Sequence, residues 1–311
     1  MEAAISDFVG GLVRECHDLA DPWRHRRPLG EERALARLQC WSALARHLPS
    51  ALTSSQMLPV SMDDCQKMAA DGRALRLICG RHPTTPEQIC QAIDIIYLAI
   101  AGPSDPVDAF ASAGSRSACL DWAAHHMGPE TDWARAAVSM LDFVSLSPLA
   151  AHNVQAGRLL AAALPFWAGL PLIHALDVET EGEDGFAHAL TAGLDDDPGA
   201  WIAYALSKQW RALKRLPSLL DQARQVREHV QHMLQHSDAD DSLLPVMAAE
   251  LCALPVLLPT FQRDSGLDDG YVRTAAALLR VRGELWDLPA KDGGKVTLFP
   301  RALRLLPPLR P

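Results

Sequence analysis

Aromatic side chains are scarce, 6% of 311 residues, although 49% of the chain is hydrophobic. A core with that composition is built from Ala and Leu on helices. Long apolar runs are missing too. The longest, 161–173, is broken by Pro165 and Pro171 and falls short of the roughly 20 residues a membrane-crossing helix needs, which excludes a membrane partner. No basic region followed by an apolar run stands at the N-terminus, so the reading is a cytoplasmic protein; a dedicated effector-secretion signal would leave no such mark. Paired cysteines are absent: the seven, at 16, 40, 65, 79, 90, 119 and 252, form no CxxC. That excludes a zinc ribbon or disulfide framework and leaves small hydrophobes in apolar helices. Positive charge is also short. A formal net charge of −9 excludes general coating of nucleic acid, because phosphate binding needs a basic face.

What is present is helical periodicity, on a chain long enough for one large core and a smaller second one. In 31–48, Ala34, Leu38, Trp41, Leu44 and Ala45 share one stripe, the spacing of a core-facing helix. Pro83-Thr84-Thr85-Pro86-Glu87 reads as a helix start, with Thr85 as N-cap and Pro86 first in the helix; the helix runs to about Ala101 and stops at Gly102-Pro103. Residues 102–117 are rich in Gly, Ser, Pro and Ala and hold no alternating strand pair. A buried helix over 161–173 ends at Ala168-Gly169-Leu170-Pro171. Residues 213–235 predict a long charged connecting helix. Helices over 244–253, 258–265 and 269–283 follow, then strands over 284–288 and 295–299 joined through Lys291-Asp292-Gly293-Gly294, whose residues permit the positive φ of a tight hairpin. The expected fold is all-α in the main, with a helical domain over 1–212, a connecting helix over 213–240 and a small domain over 241–311. That last order of elements resembles a winged helix-turn-helix.

The stretch from Phe143 to Leu160 carries the most information. It holds Ser147-Pro148-Leu149, then Ala151-His152-Asn153-Val154-Gln155, then Gly157-Arg158, leading into an apolar run. This resembles the central motif of the Fic-domain family, HPFx(D/E)GNGRxGR followed by a helix. Without a gap, Pro148, Asn153, Gly157 and Arg158 match. Ser147 stands at the histidine, Leu149 at the phenylalanine, Ala151 at the acid, His152 and Val154 at two glycines, and Gln155 at the first arginine. The register continues outward. Phe186-Ala187-His188-Ala189-Leu190 with Gly193, Asp195 to Asp197 and Pro198 resembles the family's YxxAL, glycine, aspartate, proline segment. Upstream, 51–59 resembles its inhibitory helix, with Leu58 at the glutamate and Pro59 after it. The resemblance covers roughly residues 30 to 215.

The resemblance implies a histidine base, a magnesium-holding acid, loop amides and arginines for nucleotide phosphates, and a β-hairpin flap before the motif that aligns a target peptide by strand pairing. Each role has a physical requirement. Ser147 is no base at neutral pH, Ala151 cannot bind magnesium, and the flap reads as shortened or lost. No cofactor is required; magnesium and ATP belong to the site only if transfer survives. Asn153, Gly157, Arg158 and the positive start of the following helix remain as the candidate site for a nucleotide or small anion. The expectation is a degenerate binding or regulatory module. The enzyme alternative is a transferase or lyase using Ser147, His152 and Arg158, with His152 as displaced base or as Ser147's partner; no orienting acid stands near in sequence. A DNA-binding regulator is the third reading. Its contacts would be Arg273, Arg280, Arg282, Lys291 and Lys295, but Asp268 and Asp269 at the helix start repel phosphate, so packing or homodimerisation fits that region better. His229, His232 and His236 share a helix face, yet lack a fourth ligand and sit beside Arg224 and Arg227, so no metal site is expected.

Overall fold

The computed structural model describes residues 2–23, 62–102, 105–128, 131–174, 183–235, 269–289 and 292–298. They form α1 (Glu2–Ala20) with a 3-10 turn after it, α2 (Met62–Cys79), α3 (Pro86–Ile100), α4 (Ala113–His126), α5 (Trp133–Leu146), α6 (Asn153–Trp167), α7 (Glu183–Leu194), α8 (Pro198–Gln235), α9 (Asp269–Val281), β1 (Trp286–Pro289) and β2 (Lys295–Leu298). The fold is mainly helical, as composition implied. The expectations for 31–48, for Leu58 and Pro59, for the helices over 244–253 and 258–265, and for His236 lie outside the described residues. Two compact units partition the chain: residues 1–32 with 73–216, and residues 33–72 with 217–311.

The first unit centres on α5 and α6, which pack along each other, with α3, α4 and α7 around them. Local chemistry sets the ends of these helices. The Thr85 hydroxyl accepts from the Gln88 N–H at 3.4 Å, with Pro86 in the first turn, as read from the sequence. Ser112 and Asp132 cap α4 and α5 by accepting from the Ser115 and Arg135 amides at 3.0 and 2.8 Å. Two buried indoles lock onto α5. Trp201 donates to the Ala137 carbonyl at 2.8 Å and Trp122 to the Ser139 carbonyl at 3.0 Å, so their N–H groups leave water without losing a partner. Among the described residues, Trp133, Trp201, Tyr97, Phe143 and Phe166 are the largest fully buried side chains. Two glycines allow close helix approach. A Cβ on Gly157 would lie 3.2 Å from Val144 Cγ2, and one on Gly193 would lie 2.8 Å from Trp201 Cβ.

In the second unit α9 buries Val272, Ala275, Ala276 and Leu279, an i, i+3, i+4, i+7 stripe. It ends at Val281, and a turn through Gly283, φ 72, leads into the expected antiparallel hairpin, with Trp286 opposite Leu298 and Pro289 opposite Lys295. Gly293 supplies the positive φ, 88°, that the turn needs. Arg280 donates to Asp287 at 3.1 Å, and Thr297 donates to the same carboxylate oxygen at 2.7 Å. His229 lies 3.4 Å from Glu284. Among the described residues no helix is long and apolar enough to cross a membrane, and no group of three or more His, Cys, Asp or Glu could hold a metal ion. Cys16, Cys79, Cys90 and Cys119 are buried and form no disulfide.

Candidate functional site

The loop from α5 to α6 is built from two left-handed residues. Ser147 caps α5 at φ 44, ψ 54. Its N–H donates to the Phe143 and Val144 carbonyls at 3.0 and 3.2 Å, and its hydroxyl donates to the Val144 carbonyl at 2.8 Å. That hydroxyl closes its own helix end. Leu149 is buried. The Asn153 side chain brackets it, accepting from the Leu149 N–H at 2.9 Å and donating to the Leu149 carbonyl at 3.0 Å. His152 then sits at φ 60, ψ 26, the residue before α6, and its side chain makes no cap hydrogen bond to that helix. The first-turn amides of α6 are therefore the groups at which an anion is best placed.

A strap over 105–112 crosses this loop. Ala111 donates to the Pro148 carbonyl at 3.0 Å and Ala150 to the Ala109 carbonyl at 2.9 Å, making one antiparallel bridge between Phe110 and Leu149. The Arg116 guanidinium lies 5.0 Å over the Phe110 ring, and the Tyr97 hydroxyl donates to the Pro106 carbonyl at 3.2 Å. The described part of the expected flap region thus holds no hairpin; its backbone pairs with the motif loop itself. Asp105, on the strap, accepts from the Gly102 N–H and lies 3.0 Å from His152 Nε2. The His152 bond, followed by the Gly102 amide, holds the Asp105 carboxyl below the usual carboxylate range. Burial, then Asp105, raises the Tyr97 phenol, whose ring centroid stands 6.2 Å from that of His152.

The sequence candidates therefore divide. Ser147 and His152 share the loop, but no hydrogen bond joins them among the described residues. Ser147 is turned to Val144 and His152 to Asp105. Asn153 is spent on the loop backbone, and Gly157 serves the α5–α6 crossing. Ala151 contributes no carboxylate, so the residues present do not fit a magnesium ion at that position. Arg158 is half-buried on α6, near enough to His174 that burial first, and the Arg158 cation second, push that imidazole down to about 3. Asp105 is the residue that sequence reading missed. It lies 47 positions before His152 in a Gly/Ser/Pro-rich stretch with no periodic pattern to assign it a direction. A cavity of about 260 Å³, lined by Pro83, Thr84, Met127, Thr131, Leu164 and Trp167 among others, lies by the opposite end of α6. That end is roughly 20 Å away along a helix of 15 residues.

No family model and no curated protein matches the sequence. Among solved structures the chain is similar to a fragment of Fic-1 from C. elegans, at 16% identity, over 71% of this chain and 75% of that one, with a TM-score of 0.48.

Proposed function

We propose that the chain is a catalytically degenerate Fic-like protein, a binding or regulatory module that holds a small phosphate-containing or anionic ligand at the start of α6. One observation carries this reading. Where the motif it resembles needs a base, Ser147 donates its only hydroxyl hydrogen to the Val144 carbonyl at 2.8 Å. A serine is no base at neutral pH, and one that faces a backbone carbonyl has no general base to activate it as a nucleophile. The absence of a carboxylate at Ala151 removes the ligand for a hard cation. The positive start of α6, which the His152 side chain does not cap, and the guanidinium of Arg158 on the same helix suit a phosphate or carboxylate.

The test is twofold. Incubated with magnesium and ATP labelled in its α-phosphate, the protein should label neither itself nor other proteins; transfer abolished by Ser147→Ala overturns the reading. In calorimetric titrations with nucleotides and inorganic phosphate, binding should depend on Arg158. An occupied ligand site elsewhere, with none here, also overturns it. A second reading, a diverged transferase or lyase, is favoured by the His152–Asp105 pair, which supplies the orienting acid that the neighbouring sequence lacks. For the C-terminal unit the proposed role is packing or homodimerisation, because Arg280, a candidate phosphate contact, is already bonded to Asp287.

A further inference from the structure

We infer that His152, held by Asp105, is a nucleophilic imidazole that accepts a phosphoryl group from a small activated donor of the acyl phosphate class; the inference rests on the reading of the α6 start as a phosphate site. Hydrogen-bond chemistry settles which nitrogen reacts. An ionised carboxylate only accepts, so the hydrogen in the 3.0 Å contact with Asp105 belongs to His152 Nε2. In the neutral ring the lone pair is then on Nδ1, and Nδ1 makes no hydrogen bond among the described residues. The Asp105 carboxylate is itself fixed by the Gly102 amide, so the ring is oriented from behind. The His152 side chain is 30% exposed, enough for a small molecule to reach it. The Ser147 hydroxyl is engaged with Val144, so no protein hydroxyl in the loop is offered to His152, and the imidazole itself is the group that meets an electrophile. His152 also directly precedes a helix of 15 residues, whose positive end favours a dianionic phosphoryl group on the adjoining residue.

In the step, the Nδ1 lone pair forms an N–P bond while the bond from phosphorus to the acyl oxygen breaks, and the carboxylate leaves with the electron pair. The ring becomes an imidazolium, its charge shared with Asp105 through Nε2–H. Release of the Nε2 proton to solvent gives phosphohistidine with a neutral ring and an anionic phosphoryl group, and no metal, oxidant or reductant enters the balance.

Acetyl phosphate is the probe. The full chain is incubated with it near neutral pH, and the site is mapped by mass spectrometry under alkaline conditions, since phosphoramidates are acid-labile. One phosphoryl group is expected on His152, ahead of the exposed His82, His125 and His188, which act as internal controls. His152→Gln should lose the label, and Asp105→Asn should slow it towards the rate of the control histidines. Circular dichroism melts of both variants separate loss of labelling from loss of fold. Labelling of His152 no faster than the controls overturns the proposal, as does an unchanged rate in Asp105→Asn. If inorganic phosphate binds in an Arg158-dependent way while His152 stays unlabelled, the nucleophile falls and the binding reading stands. Labelling without phosphate binding does the reverse.

Discussion

At Ser147 the backbone is left-handed, φ 44, while the side chain satisfies a helix-end carbonyl. These two facts act in opposite directions on substitution. Ser147→Gly loses one neutral hydrogen bond, about 0.5–1.5 kcal/mol, but removes a Cβ from a conformation costly to L-residues. Urea unfolding should therefore place it within about 1 kcal/mol of the parent. Ser147→Val loses the bond and forces a β-branched residue into the same φ, so it should lose roughly 2–3 kcal/mol. Arg158 gives the corresponding functional prediction. Arg158→Ala should weaken a bound anion by about 1.5–3 kcal/mol, the range for a charge-assisted bond, read as a change in Kd by calorimetry. That position 147 is not a histidine and position 151 not an acid was legible from the residues themselves. The bonds that Ser147, Asn153 and His152 make were not, because each depends on a backbone conformation that residue type alone does not dictate.

Among the helices, the sequence spoke clearly where a cap stood at the start of a periodic run. Thr85 and Pro86 marked the start of α3, and Gly102-Pro103 its end to within a residue of Ile100. It was silent for α4, whose Ser112 cap lies in a stretch of small residues that also reads as loop. The connecting helix expected from 213 is the later part of α8, which begins at Pro198, with Asp197 accepting from the Ala200 amide at 3.0 Å. Close approach between elements was hidden as well. At Gly193 an added Cβ would stand 2.8 Å from Trp201 Cβ and 3.0 Å from Leu141 Cδ1, atoms of a fully buried indole and the helix beside it. Gly193→Ala should therefore cost about 1–3 kcal/mol, the range for overpacking. Gly157→Ala meets side-chain atoms of Val144 at 3.2 Å and Met140 at 3.4 Å, which need to shift by only a few tenths of an ångström, so it should cost less than Gly193→Ala. The midpoints of denaturant unfolding of the two variants decide the order.

Across the whole molecule, buried histidines make stability depend on pH. Burial, with Arg158 adding to it, pushes His174 down to about 3. Burial, opposed by Asp142, lowers His126. Below the ordinary imidazole value the unfolded chain takes up protons that the folded chain refuses. The stability these groups confer is present above about pH 6.5 and is lost as pH falls towards the folded value. For His174 alone the slope approaches ~1.4 kcal/mol per pH unit within that window. His174→Gln should flatten the unfolding free energy between those limits, measured by urea titration at several pH values. A slope unchanged in that variant would assign the acid sensitivity to other groups.

Composition, capping and residue identity were enough to establish that the chain is mainly helical, where α3 starts, and that Ser147 and Ala151 are neither a histidine nor an acid. These are local properties: burial preference, capping and side-chain chemistry act within a few residues. Only the tertiary structure decided that the strap over 105–112 pairs with that loop, that Asp105 rather than Ser147 is the partner of His152, and that Gly157 and Gly193 serve helix crossings. Each of those contacts joins segments far apart in the chain. Their geometry is set by how α3, α4, α5 and α6 pack, and no linear pattern encodes the distance between a side chain and its partner 47 residues away.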